Sequence, residues 1–399
     1  MKNILFVLVA LVAASIACGQ GTPSQPPASE PQPAPESTTE SGLNPTPTGE
    51  AVAPSEPTPT IEAITVEPEI TPTVVVDNSL ADPQRWAAVD AFVNEFSLDN
   101  SVVMVGTVDG LVYLDRQDIA TEHIGVPVWS ASKWLTAATI MHLVEDGVMS
   151  LDDNPQDYID WWTDDPADSR SQITLGHLLS MTAGFWGEPL CIWNGNADRD
   201  ECAQNVYNIW HTNPPGETFF YSSSHMHIAG LMASNATGQD FNSLFRQEIG
   251  EPLGMTATAL YSLPSETNPF MAGGAVMTAN DYSLFLQAML SGEMLASSQG
   301  IMYTDWTSES VDILYSPVQS VTEWHYGLGA WRECLSDTWI ESCNEPRIIS
   351  SGGGGGFFPW IDIENNYWGI VGQANGDLAQ SIELALIIRP MVVEALNAP

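Results

Sequence analysis

From Ala81 to Pro399 the chain has one lysine, Lys133, and it stands three places after Ser130 in the run Trp129-Ser130-Ala131-Ser132-Lys133-Trp134-Leu135-Thr136. Side chains three apart share a helix face, so the hydroxyl and the amine can meet. That pairing suits nucleophilic catalysis, in which the amine takes the Ser130 proton as the oxygen attacks a carbonyl. Burial beside Trp134, Leu135 and Ala137 disfavours an ammonium and favours a proton acceptor. The helix N-terminus adds N–H groups beside the oxygen where negative charge develops. The bland alternative is a serine cap on a buried helix whose lysine snorkels to water.

Further landmarks follow in order. Gly147-Val148-Met149-Ser150-Leu151-Asp152-Asp153 closes the helical run, and Ile173-Thr174-Leu175-Gly176-His177-Leu178-Leu179-Ser180-Met181-Thr182-Ala183-Gly184-Phe185 comes next. Pro215-Gly216, Phe220-Tyr221-Ser222-Ser223, Gly230 and Pro252-Leu253-Gly254-Met255 succeed it. In order and spacing these segments resemble the serine β-lactamases, penicillin-binding proteins and related esterases, over nearly all of Ala81 to Pro399. The resemblance implies an acyl-enzyme on Ser130, with Lys133 as base. It also implies that Tyr221, from the family's Tyr-x-Asn motif, relays protons through hydrogen bonds with Lys133 and Ser130. A core tyrosine with a satisfied hydroxyl is the simpler alternative.

Two departures bear on the substrate. Ser223 replaces the asparagine of Tyr-x-Asn, so a short hydroxyl stands where an amide binds an acylamino group. Ser350-Ser351-Gly352 occupies the place of the Lys-Thr-Gly strand, which leaves no cation at Ser350 to hold a substrate carboxylate. Ester or small-amide hydrolysis is therefore expected ahead of penicillin or terminal D-alanine turnover. Arg347 has the opposite strand parity and should face away. In the glycine run that follows, Gly353 has two readings: an oxyanion-hole N–H paired with that of Ser130, as the resemblance implies, or part of a pliable turn.

These groups must be positioned by a scaffold, and the composition locates it. Met1 to Ala17 has a basic start, a short apolar run and small residues before Cys18, the layout of an export signal. Either plain cleavage or lipidation of Cys18 fits, and the odd cysteine count favours the lipid anchor. Residues 18–80, rich in Pro, Thr, Ser and Glu, read as a tether or as a removable propeptide. The other four cysteines form close pairs, Cys191 with Cys202 and Cys334 with Cys343, expected as disulfides in an oxidising compartment.

Residues 81–399 form the catalytic domain in this reading. A helix over Pro83 to Phe96 precedes a hairpin, Ser101 to Gly106 with Leu111 to Leu114. A second strand block comprises Tyr326 to Arg332, Arg347 to Ser350, Phe357 to Asp362 and Tyr367 to Gly372, and a helix from Leu378 to Leu396 closes the chain. The middle is helical, at Thr136 to Asp146, His177 to Met181 and Asp281 to Leu290. The expected fold is mixed α/β of the α+β type: an antiparallel sheet flanked by helices, with an adjoining all-helical region.

Charge excludes some partners. The net charge is −40, and the 41 acids against 9 bases from Ala81 onward leave the folded part near −32. Nucleic acid and anionic lipid surfaces are poor partners for it. His225 and His227 lack a third ligand, so neither metal nor cofactor is expected. The substrate expected is a small ester, amide or peptide. A non-catalytic envelope-binding lipoprotein is the rival reading, opposed by the retained Ser130, Lys133 and Tyr221.

Overall fold

The computed structural model describes residues 83–398 except 210, 212, 309, 319–322 and 337. The export signal, Cys18 and the tether lie outside the described residues. Helix α1 (Ala87–Phe96) leads into the hairpin β1 (Ser101–Thr107) and β2 (Gly110–Arg116). After the short strand β3 (Val126–Pro127) and one 3-10 turn at Trp129–Ala131 comes α2 (Ser132–Glu145). Helices α3 (Leu175–Leu179) and α4 (Arg199–Asn208), strand β4 (Thr218–Phe220), and helices α5 (Ser223–Thr237) and α6 (Phe241–Phe245) build the helical region. Strands β5 (Leu260–Tyr261) and β6 (Ala275–Met277) and helices α7 (Ala279–Ser291) and α8 (Gln299–Met302) return the chain towards the sheet. Strands β7 (Asp312–Tyr315), β8 (His325–Tyr326), β9 (Trp331–Glu333), β10 (Ile348–Ser350), β11 (Phe357–Asp362) and β12 (Tyr367–Gln373) precede the final helix α9 (Leu378–Asn397).

The main sheet has seven antiparallel strands in the order β2-β1-β12-β11-β10-β9-β8. Its first and last strands in sequence thus lie side by side, where β1 pairs with β12 next to the edge strand β2. Strands β11 and β12 are buried along their whole length, with α7 and α9 packed on them. Burial on both faces explains their continuous apolar runs, Phe357-Phe358-Pro359-Trp360-Ile361 and Tyr367-Trp368-Gly369-Ile370-Val371. Where they cross, only glycine fits: a Cβ on Gly369 would lie 2.2 Å from the Trp360 ring.

Helix α2 is buried on nearly every side, from Ser132 to Met141 and again at Leu143. Such a helix carries no polar face and belongs in a core between layers. It packs against α5, the hub that also meets α3 and α4.

The antiparallel sheet and its covering helices agree with the expectation, and Phe357–Asp362 matches it residue for residue; the adjoining region is not all-helical, since β6 lies between β3 and β5 and β4 pairs in parallel with β7. One strand reading needs correction. The stretch Tyr326 to Arg332 is two strands rather than one, since Gly327 N–H donates to Ala330 O at 2.9 Å and Gly329 turns at φ +77°. The turn is set by tertiary contact. A Cβ on Gly329 would fall 2.5 Å from the Lys133 carbonyl, so this hairpin tip abuts the helix that carries the lysine.

Both expected disulfides are present. Cys191–Cys202 ties the turn at Leu190–Trp193 to α4, and Cys334–Cys343 closes the loop between β9 and β10.

Candidate active site

Ser130 sits in the 3-10 turn that enters α2, one residue after Trp129, whose φ of +49° is unusual for a bulky side chain. Such a conformation costs on the order of 1 kcal/mol and persists only where packing imposes it. Two segments impose it here. From one side β6 pairs with β3, Ala275 N–H donates to Ser132 Oγ at 3.1 Å, and Thr136 Oγ1 donates to Met271 O at 2.7 Å. Tyr282 and Tyr261 add hydroxyl bonds to the carbonyls of Ala131 and Ser132. From the other side comes the glycine run between β10 and β11. A Cβ on Gly353 would lie 2.1 Å from the Val128 carbonyl, and one on Gly355 would lie 2.2 Å from the Trp129 indole nitrogen.

On α2, Lys133 is 2% exposed and its Nζ donates to Ser130 Oγ at 3.0 Å and to Ala272 O at 2.9 Å. The three-residue spacing thus delivers the contact expected of it. Tyr221 lies beside the pair, but the hydrogen bonds expected of its hydroxyl are not formed. Its ring faces Lys133 instead, with Nζ 4.6 Å from the centroid, and stacks on Trp331 at 5.4 Å. An aromatic face attracts positive charge, so the Tyr221 ring offers a surface that suits a cation.

Ser130, Lys133, Tyr221 and Ser223 line one cavity of about 410 Å³. Ser223 opens α5, and its N–H donates to the Glu188 carboxylate. The third-motif residues behave differently. Ser350 lies in the middle of the sheet, fully buried between Trp331 and Trp360, with its hydroxyl unpaired among the described residues and no part in the cavity. At this point β10 is an interior strand, and the Ser350 side chain is buried in the core rather than lining the cavity. Its neighbour Ser351 donates to the Ser130 carbonyl at 3.3 Å. Arg347 reaches Glu364 at 3.1 Å and does not line the cavity.

Gly352 and Gly353 also stay outside the cavity lining. Gly353 cannot supply an oxyanion donor, because its N–H donates to Phe357 O at 2.8 Å. The turn closes from Gly356 N–H to Gly353 O and lifts Gly354 into the cavity wall. Among the described residues the backbone N–H groups of Ser130 and Gly354 have no partner. The glycine run is thus chiefly a close approach of two backbones, with Gly354 at the cavity wall.

Sequence reasoning missed Glu188, Trp193, Phe220, Phe270 and Tyr315, which complete the cavity with Trp129 and Gly273. Glu188 is one acid among many, with no local signal to single it out. The Ala272 carbonyl could have been suspected from Gly273-Gly274, where a Cβ on Gly274 would meet the Leu263 carbonyl at 2.1 Å.

His225 and His227 lie buried on α5, behind the site. His225 shares a hydrogen with Ser222 Oγ at 3.0 Å, and His227 Nε2 lies 3.3 Å from the Arg199 carbonyl. Burial pushes His225 down to about 3 and His227 to about 4, so both are neutral at ordinary pH. A larger cavity, about 960 Å³, opens beside Asp99, Asn100, Asp377 and Glu383, but no basic side chain lines it to activate a nucleophile.

The geometry has counterparts among known proteins. Residues 100–381 match the model of the beta-lactamase family. The chain is 29% identical over 147 residues to penicillin-binding protein 4 of Amycolatopsis lactamdurans, covering 35% of this chain and 37% of that protein. It is 22% identical over 265 residues to the D-alanyl-D-alanine-carboxypeptidase/endopeptidase AmpH of Escherichia coli, covering 59% and 66% respectively. The chain thus spans about a quarter to two thirds of the length of the curated relatives it matches. A crystal structure titled as a putative beta-lactamase from Bacteroides dorei superimposes with a TM-score of 0.64 at 24% identity, covering 79% of this chain and 99% of that one.

Proposed function

Because the chain belongs to the beta-lactamase family, whose members are serine hydrolases, we propose that it forms an acyl-enzyme on Ser130 and hydrolyses esters or small amides. The observation that carries this reading is the 3.0 Å contact between Ser130 Oγ and the buried Lys133 Nζ. Lys133 accepts the hydroxyl proton as Ser130 attacks the carbonyl. The ammonium formed is held by the Ala272 carbonyl and the Tyr221 ring. The N–H groups of Ser130 and Gly354 receive the oxyanion. The proton passes to the leaving alcohol or amine, and water then attacks the acyl ester and regenerates Ser130.

Ester preference rests on the cavity's lack of a free cation. Lys133 is its one basic side chain, already engaged with Ser130, and Ser350 neither carries a charge nor reaches the cavity. Carboxylate-bearing β-lactams and D-alanyl peptides have no counter-ion to meet. The similarity to AmpH favours peptide hydrolysis as the second reading.

We also propose an exported protein anchored through Cys18, with 1–17 as signal, 18–80 as tether and the catalytic domain from residue 81 onward. Two disulfides suit such an oxidising location.

The test is steady-state hydrolysis of an uncharged p-nitrophenyl ester, a chromogenic cephalosporin and a D-alanyl-D-alanine peptide, each with Ser130→Ala as control. Ester turnover that disappears in the variant and exceeds the other two supports the reading. Efficient cephalosporin or peptide turnover reverses the order of substrates. A fluorophosphonate probe that fails to label Ser130 would instead identify a ligand-binding protein.

A further inference from the structure

The cavity wall opposite Ser130 has no part in the chemistry above, yet its composition is specific. Glu188 is exposed at the rim, one oxygen held by Ser223 N–H and the other without a partner among the described residues. Around it the lining is aromatic. Trp193 packs against Phe270 at 4.2 Å between ring centroids, Phe220 against Tyr315 at 5.4 Å, and Trp129 stands beside the nucleophile. A carboxylate flanked by aromatic faces attracts organic cations, by charge and by the ring quadrupole. The same cavity already places an aromatic face against a nitrogen, since the Lys133 Nζ lies 4.6 Å from the centre of the Tyr221 ring. A net charge of −40 enriches cations around the whole protein.

We propose that this wall is a subsite for an ammonium group, so that the preferred substrates are esters whose acyl part carries a quaternary or alkylated amine. The proposal rests on the acyl-enzyme reading for its scissile carbonyl. It assigns a binding role to Glu188 and to the aromatic residues around it. Lys133 does not occupy this wall, because its amine is buried on the floor beside Ser130 while Glu188 stands at the exposed rim.

Two isosteric substrates isolate the charge: p-nitrophenyl 4-(trimethylammonio)butyrate and p-nitrophenyl 5,5-dimethylhexanoate, each corrected for its uncatalysed rate. On the full chain the cationic ester should be preferred about tenfold in kcat/KM, mainly through KM, and the preference should shrink at high salt. Glu188→Gln keeps an oxygen for Ser223 N–H, and it should reduce the preference to within about twofold. Equal rates for the two esters, or a preference that Glu188→Gln leaves intact, would overturn the subsite. Titration calorimetry of tetramethylammonium into Ser130→Ala reads the subsite without catalysis. Binding lost with the added Glu188→Gln change supports the proposal even if no ester is turned over, whereas no binding counts against it.

Discussion

The two walls of the cavity are built in opposite ways. On the floor, Ser130 and Lys133 belong to a turn and helix clamped by backbone: β6 on one side, and Gly353 against the Val128 carbonyl on the other. At the rim, Glu188, Trp193 and Tyr315 are exposed side chains on turns and a two-stranded edge. A reacting pair needs fixed distances, because an error near 1 Å costs about a hundredfold in rate. A binding wall needs the right chemistry and tolerates adjustment. The floor should therefore govern kcat and stability, and the rim KM.

The strongest way to break this division is at the nucleophile. Ser130→Ala should lower kcat for the uncharged p-nitrophenyl ester by on the order of 10³-fold or more, with KM little changed. A fall confined to KM would mean that the floor only binds. Gly353→Val comes next: its side chain meets the Val128 carbonyl, so the urea midpoint should fall by an equivalent of about 3 kcal/mol. Gly354→Ala, one residue on and with nothing within 4 Å of the new methyl, should change stability by less than about 0.5 kcal/mol. Equal losses at the two positions would refute the backbone clamp.

The scaffold behind the floor should also be acid-sensitive. His225 and His227 bind protons more weakly folded than unfolded. Stability they permit is complete above the unfolded value near 6.5 and falls as pH drops towards 4, at up to about 1.4 kcal/mol per unit for each histidine. His227→Gln should flatten urea midpoints measured from pH 6.5 to 4.5; an unchanged slope would show that His227 does not carry it. The smallest effect is expected at the rim, where Trp193→Ala should raise KM about threefold and leave kcat within a factor of two.

The legible part of the site was the part with local periodicity. Ser130 and Lys133 announce themselves through helix spacing, and Tyr221 through its place in a recurring series. The β1–β2 hairpin, β11, β12 and α9 were readable because each has its own pattern or punctuation. The β8–β9 turn was not, since its position answers to α2 across the layer. Ser350 shows the same limit: the triplet was recognisable, but whether it faced substrate or core depended on strand parity within the sheet.

What the sequence determined by itself was a serine beside a lysine, the family's sheet and helices, and two local cysteine pairs, all consequences of neighbours within one element or loop. Tertiary structure decided the rest: Gly353 spending its N–H on Phe357, Gly354 taking its place in the cavity, and Glu188 reaching Ser223 across 35 residues. Hydrogen-bond partners and cavity walls are set by chain segments meeting in space, and no local spacing encodes which segments those are.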